Sequence, residues 1–89
     1  MKIQIKFFAS FREFFQEREV ELQNGSDMGD LLSLLCDSSK RREQIFDGTE
    51  LKPYLAILKN GKHINHLNGL ETKLDDGDTV AIFPPVGGG

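Results

Sequence analysis

The sequence predicts an α+β domain: a mixed sheet of four to five strands with one main helix packed on one face. Three observations carry that expectation. Ile3, Ile5 and Phe7 alternate with Lys2, Gln4 and Lys6, and alternation returns at Glu19-Val20-Glu21-Leu22, the period of half-buried strands. Met28, Leu31, Leu32 and Leu35 stand at i, i+3, i+4 and i+7, a single apolar helical stripe. Turn pairs at Asn24-Gly25, Asn60-Gly61 and Asp76-Gly77 separate the apolar runs. With 89 residues there is material for one domain. Residues 1–83 are read as that domain and residues 84–89 as a flexible tail.

Taken in order, residues 2–7 form the first strand. Phe11, Phe14 and Phe15 follow at i, i+3 and i+4, which predicts a helical turn or compact loop that tucks aromatics under the sheet. The second strand, Glu19 to Leu22, returns beside the first and closes at Asn24-Gly25. Ser26 is placed to cap the main helix, with Asp27 and Asp30 in its first turn. Asp37-Ser38-Ser39 interrupts the stripe, and a shorter helical piece from Lys40 to Phe46 turns Ile45 and Phe46 inward. Leu55 to Leu58 is the third strand, and Asn60-Gly61 after it is the strongest hairpin signal in the chain. Residues 62–69 form a short edge strand or loop, Leu70 and Leu74 plug the core, and Thr79 to Phe83 is the last strand. The order is β-β-α-β-(β)-β, with a right-handed crossover carrying the helix over one face. The first and last strands then lie side by side in the middle, which is the β-grasp, ubiquitin-like arrangement.

Composition narrows the function. Hydrophobic residues are 38% and charged residues 28%, as in ordinary globular domains. A domain this small buries about 60–65% of the surface its unfolded chain exposes, which leaves little for a deep catalytic cleft. The net charge is −3, and basic residues are scattered except at Lys40-Arg41-Arg42, a solvated helix face. Nucleic-acid binding calls for a clustered basic face, so no nucleic-acid partner is expected. No run of 18 apolar residues exists, so no membrane span is expected. The alternating N-terminus lacks the apolar core of a signal peptide, and Cys36 is a single cysteine. Together these predict a cytoplasmic protein.

Strand parity predicts a surface. With Ile3, Ile5 and Phe7 facing the helix, Phe8 turns to the opposite face. Val80 and Ile82 inward leave Thr79, Ala81 and Phe83 outward, and Ile57 inward leaves Leu58 outward. Phe8, Leu58 and Phe83 are therefore expected to share the outer face as a partner-docking patch, although such residues also suit strands through β-propensity alone.

After Phe83 the pattern stops at Pro84-Pro85-Val86-Gly87-Gly88-Gly89. The two prolines favour an extended path at the root. Glycines have no side chain to obstruct a narrow channel, and the extended reach from Pro84 to Gly89 is about 20 Å. A carboxylate is a poor electrophile at neutral pH, so acyl chemistry at Gly89 requires prior activation, such as adenylation with ATP by a partner enzyme.

The run from Gly69 to Gly89, ending Asp75-Asp76-Gly77-Asp78-Thr79-Val80-Ala81-Ile82-Phe83-Pro84-Pro85-Val86-Gly87-Gly88-Gly89, resembles the C-terminal part of the MoaD/ThiS family of ubiquitin-like sulfur carriers. Phe7-Phe8-Ala9-Ser10-Phe11-Arg12-Glu13 resembles that family's opening, and the likeness is greatest to its molybdopterin synthase small-subunit branch. Asn60-Gly61-Lys62 with Leu67-Asn68-Gly69-Leu70 resembles the archaeal-type, small-modifier branch. The resemblance covers essentially the whole chain and implies a mechanism. An E1-like adenylyltransferase joins AMP to Gly89, persulfide sulfur from a sulfur donor displaces the AMP, and a Gly89 thiocarboxylate remains. The tail then enters a MoaE-like large synthase subunit, and the sulfur goes to a pterin precursor of the molybdenum or tungsten cofactor. Gly88 and Gly89 match the family's terminal pair, and Phe8 and Phe83 match its apolar partner-facing positions. Gly87 departs from the Ser, Thr or Ala of many relatives. No bound cofactor is implied, and the chain is not expected to be an enzyme alone. The same tail would serve a protein modifier conjugated through Gly89, or a sulfur carrier for cysteine, thiamin or tRNA thiolation.

Other residues invite chemistry without supporting it. His63 and His66 lack the further ligands a metal site needs, so no metal is expected. Cys36, beside Leu35, reads as a packing residue. Asp75, Asp76 and Asp78 surround a turn. Asn60-Gly61-Lys62 is a turn and not a phosphate-binding loop.

Overall fold

A computed structural model of the protein describes residues 1–85. Strand β1, Lys2–Phe7, alternates as its sequence demands, with Ile3, Ile5 and Phe7 buried. A 3₁₀ turn, Ala9–Glu13, follows and sends Phe11 and Phe15 into the core. Phe15 stacks on Phe7 with centroids 4.7 Å apart and meets Phe11 edge-on at 5.9 Å. Strand β2, Arg18–Glu21, pairs antiparallel with β1.

Helix α1, Met28–Leu35, buries the whole predicted stripe of Met28, Leu31, Leu32 and Leu35. Its cap is Asp27 and not Ser26. The Asp27 side chain accepts from the Asp30 amide at 2.9 Å, and the Asp30 carboxylate accepts from the Asp27 amide at 3.0 Å. This reciprocal pair satisfies two amide donors at the helix start, one more than a serine at position 26 would reach. Helix α2, Ser39–Ile45, is capped by Ser38, whose hydroxyl accepts from the Arg41 amide. Ile45 is buried.

The sequence reading did not anticipate the two-residue strands β3, Phe46–Asp47, and β4, Glu50–Leu51, which form their own small hairpin. Strand β5, Ala56–Lys59, turns at Asn60 (φ 49°) and Gly61 (φ 85°) into β6, Lys62–His63. Two successive positive φ values are what a tight hairpin of this hand requires. Strand β7, Thr79–Phe83, completes the sheet.

The sheet order is β2-β1-β7-β5-β6. β7 runs parallel to β1 and antiparallel to β5, so the first and last strands share the middle. The inward residues of β1, β5 and β7 join the α1 stripe, Phe11, Phe15, Ile45, Ile64 and Leu74 in one core. This is the β-grasp arrangement expected from the sequence, with five strands and a second, shorter helix.

A polar network holds the end of the sheet at the start of β7. The Asp78 carboxylate accepts from the Asn60 side-chain amide at 2.8 Å and from the Asp75 backbone amide at 2.8 Å. Asn60 in turn accepts from the Thr79 amide at 2.9 Å. Lys59 lies 3.6 Å from Asp78. Burial alone would raise the Asp78 carboxyl, but these donors together hold it below the usual carboxylate range.

Candidate functional site

The opposite end of the sheet carries the candidate site. Because β1 and β7 are parallel, Phe8 and Phe83 leave their strands at the same end. The Phe8 backbone is still extended at φ −127° and ψ 157°, and its amide donates to the Ile82 carbonyl at 3.2 Å. Phe8 therefore keeps strand parity and lies opposite the core. The chain then turns at Ala9, φ 53°, which releases Phe11 inward.

The Phe8 and Phe83 rings stack with centroids 4.3 Å apart and planes 8° from parallel. Arg12 donates to the Phe7 carbonyl at 3.3 Å and sets its guanidinium 5.9 Å from the Phe8 ring centre, within cation–π range. Phe83 pairs with Ala56, whereas Leu58 pairs with Ala81. Leu58 thus shares the outer face but stands one step along it, diagonal to Phe83 rather than beside it. Ala56 and Ala81 fill the space between them, and all five apolar residues are half-buried. Sequence reasoning missed Ala56 and Arg12. The signal for Arg12 was its place four residues after Phe8 in a segment already expected to turn helically.

Pro84 and Pro85 follow Phe83 directly and are half-buried, so the stacked rings form the base from which the chain leaves the sheet. The expectations for Val86, Gly87, Gly88 and Gly89 lie outside the described residues.

The described residues of this outer-face patch are half-buried apolar side chains, and the titratable candidates lie outside it. Cys36 is half-buried at the end of α1. Burial pushes its thiol up, Arg42 opposes that, and Asp37 adds to it, the reverse of what activates a sulfur nucleophile. His63 accepts from the Asn65 amide through Nδ1 at 3.1 Å and meets His66 edge-on at 6.3 Å. Among the described residues no group of three or more His, Cys, Asp or Glu side chains converges to hold a metal ion. Asp37 is lowered by its hydrogen bond from Arg41, a 2.7 Å surface pair. No helix among the described residues is long and apolar enough to cross a membrane.

Comparison with known proteins agrees with this architecture. The model of the ThiS family matches residues 5–89. Small archaeal modifier protein 3 of Haloferax volcanii is 38% identical over 92 residues, with all of both chains covered. The molybdopterin synthase sulfur carrier subunit of Mycobacterium tuberculosis is 32% identical over 92 residues, covering 100% of this chain and 99% of the relative. The solution structure of small archaeal modifier protein 1 from Methanosarcina acetivorans superposes with a TM-score of 0.77 at 35% identity, covering 99% of this chain and 96% of that one. Sheet order and full-length similarity converge on one conclusion: the chain belongs to the ThiS family, within the MoaD/ThiS group of ubiquitin-like domains.

Proposed function

We propose that this protein is a sulfur carrier activated at the carboxylate of Gly89, serving as the small subunit of a molybdopterin synthase. An E1-like enzyme transfers AMP from ATP to Gly89 and releases pyrophosphate. The outer sulfur of a donor persulfide then displaces AMP to give an acyl disulfide, and a thiol of the donor enzyme cleaves the S–S bond, leaving the Gly89 thiocarboxylate and a disulfide on the donor. The chain contributes presentation and no catalytic side chain. Pro84 and Pro85 form the root of the tail, and Phe8, Leu58 and Phe83 dock the activating enzyme and then a MoaE-like large subunit.

The observation that carries this reading is the Phe8–Phe83 stack at the root of the Pro-Pro-Val-Gly-Gly-Gly ending. It joins the two terminal segments of the chain into one apolar surface beside the tail, and the similarity to the mycobacterial carrier subunit spans both segments. A second reading has its own support. The 38% identity to a small archaeal modifier favours conjugation of Gly89 to lysines of other proteins. Both need the same acyl-adenylate, so they differ only in what consumes it.

Intact-mass measurement on protein purified from its native cell distinguishes them. The carrier reading expects a species heavier by the difference between one sulfur and one oxygen atom, together with co-purification of a large synthase subunit. Isopeptide-linked adducts without the thiocarboxylate would assign the protein to the modifier class instead.

A further inference from the structure

Tyr54 breaks two local rules at once. It follows Pro53 in the turn that leads into β5 and has φ 65°. A turn with proline first and positive φ second favours Gly or Asn at that second position, because a β-carbon crowds the left-handed conformation. The ring gains little inside the chain to offset this, since Tyr54 is 81% exposed, against 42% for Leu34 and 38% for Leu67. Strain held at an exposed aromatic residue points to a contact outside the chain.

Its position says which contact. β5 is antiparallel to β7 and pairs Ala56 with Phe83. The Pro53–Tyr54 turn therefore sits at the end of the sheet where the chain leaves β7 as Pro84-Pro85. Ala56, paired with Phe83 of the proposed docking patch, follows Tyr54 by two residues. Beside the ring lies a surface hollow of about 240 Å³, lined in part by Leu51, Pro53, Ile64 and Asn65, which leaves room for a partner to close around it. An enzyme that draws in Gly89 through a tail of about 20 Å must bring its own surface to this end of the sheet.

We propose that Tyr54 is an aromatic anchor for the adenylating enzyme, its ring entering an apolar pocket beside the channel that receives the tail. This rests on activation at Gly89 as proposed above. Tyrosine suits the task because it supplies a large contact area with few rotatable bonds, and such residues dominate binding hot spots.

The test is ATP–pyrophosphate exchange by the adenylating enzyme encoded in the same genome, measured against carrier concentration. Tyr54→Gly is expected to raise KM for the carrier about tenfold with kcat unchanged, the size of loss usual for an aromatic anchor. Because glycine is at ease at positive φ, the same variant should unfold at an equal or higher urea concentration. Tyr54→Phe should restore the wild-type KM. An unchanged KM for Tyr54→Gly overturns the proposal, as does a raised KM that Tyr54→Phe fails to rescue. Exchange with wild-type carrier separates the two levels: its absence overturns activation at Gly89 and the anchor with it, whereas normal wild-type exchange with a normal Tyr54→Gly overturns the anchor alone.

Discussion

Asp78 ties the Asn60 hairpin, the Asp75 turn and Lys59 to the start of β7 through one carboxylate that is 7% exposed. Its folded-state pKa lies below the unfolded value, so the ionised form is the one the fold favours. That contribution is complete above the unfolded carboxylate value of about 3.9 and is lost as pH falls through the lower folded value. Urea unfolding should therefore show stability declining below about pH 4, and Asp78→Asn should flatten that decline. The exposed Asp37–Arg41 pair is screened by solvent and should contribute little to it. Asp78→Ala leaves the Asn60 and Asp75 donors without their acceptor and should cost about 1–3 kcal/mol at neutral pH. Phe8 is the opposite kind of residue, half-buried on the outer face with its ring against Phe83. Phe8→Ala should cost about 1 kcal/mol of stability, the scale of an aromatic pair, yet weaken carrier–enzyme affinity about tenfold by calorimetry. Phe15→Ala, which removes a core ring, should instead cost about 3–5 kcal/mol of stability.

At the level of elements, α1 depends on its cap as well as on its stripe. Asp27→Ala removes one side of the reciprocal pair with Asp30 and should destabilise the protein by about 1 kcal/mol, while Ser26→Ala should change little. Comparing their urea midpoints separates the two candidate caps. The stripe itself was legible, because four leucine-sized residues at helical spacing admit one solution in a short segment. The identity of the cap was not, since Ser26 and Asp27 are adjacent and both residue types can cap; what decides is the Asp27-to-Asp30 spacing. Four sheet strands were legible through alternation, apolar runs and turn pairs, whereas residues 62–69 stayed open between an edge strand and a loop, and β6 proves to be two residues, Lys62–His63. β3 and β4 were not, because two-residue strands contain no period to detect. The site divides in the same way. Parity alone places Phe8, Leu58 and Phe83 on the outer face, but the one-step offset of Leu58 depends on register, which only the pairing of Ala56 with Phe83 fixes. The Asn60–Asp78 bond joins residues 18 apart, and local turn chemistry explained each of them well enough to conceal it.

For the whole molecule, the central question is whether folding and function occupy separate parts of the chain. Every buried hydrophobic residue among those described lies between Ile3 and Ile82. The hydrogen bonds that close the sheet, from Phe8 to Ile82 and from Gln4 to Asp78, likewise precede Pro84. β1 and β7 are central and mutually paired, so the first and last folded segments stabilise each other before the tail begins. Stability scales with the apolar surface removed from water, and a segment beyond that core can be removed with little loss. A chain ending at Pro85 should therefore unfold at the same urea concentration as the full chain, with an unchanged m-value. Its exchange of ATP with pyrophosphate should be abolished, because the reacting carboxylate would sit at the root and fall short of the enzyme's centre by most of the tail's reach. Removing Gly89 alone should also abolish thiocarboxylate formation while leaving the urea midpoint in place. A shortened chain that lost stability would show that the tail packs on the domain; one that still accepted AMP and sulfur would place the chemistry somewhere other than Gly89.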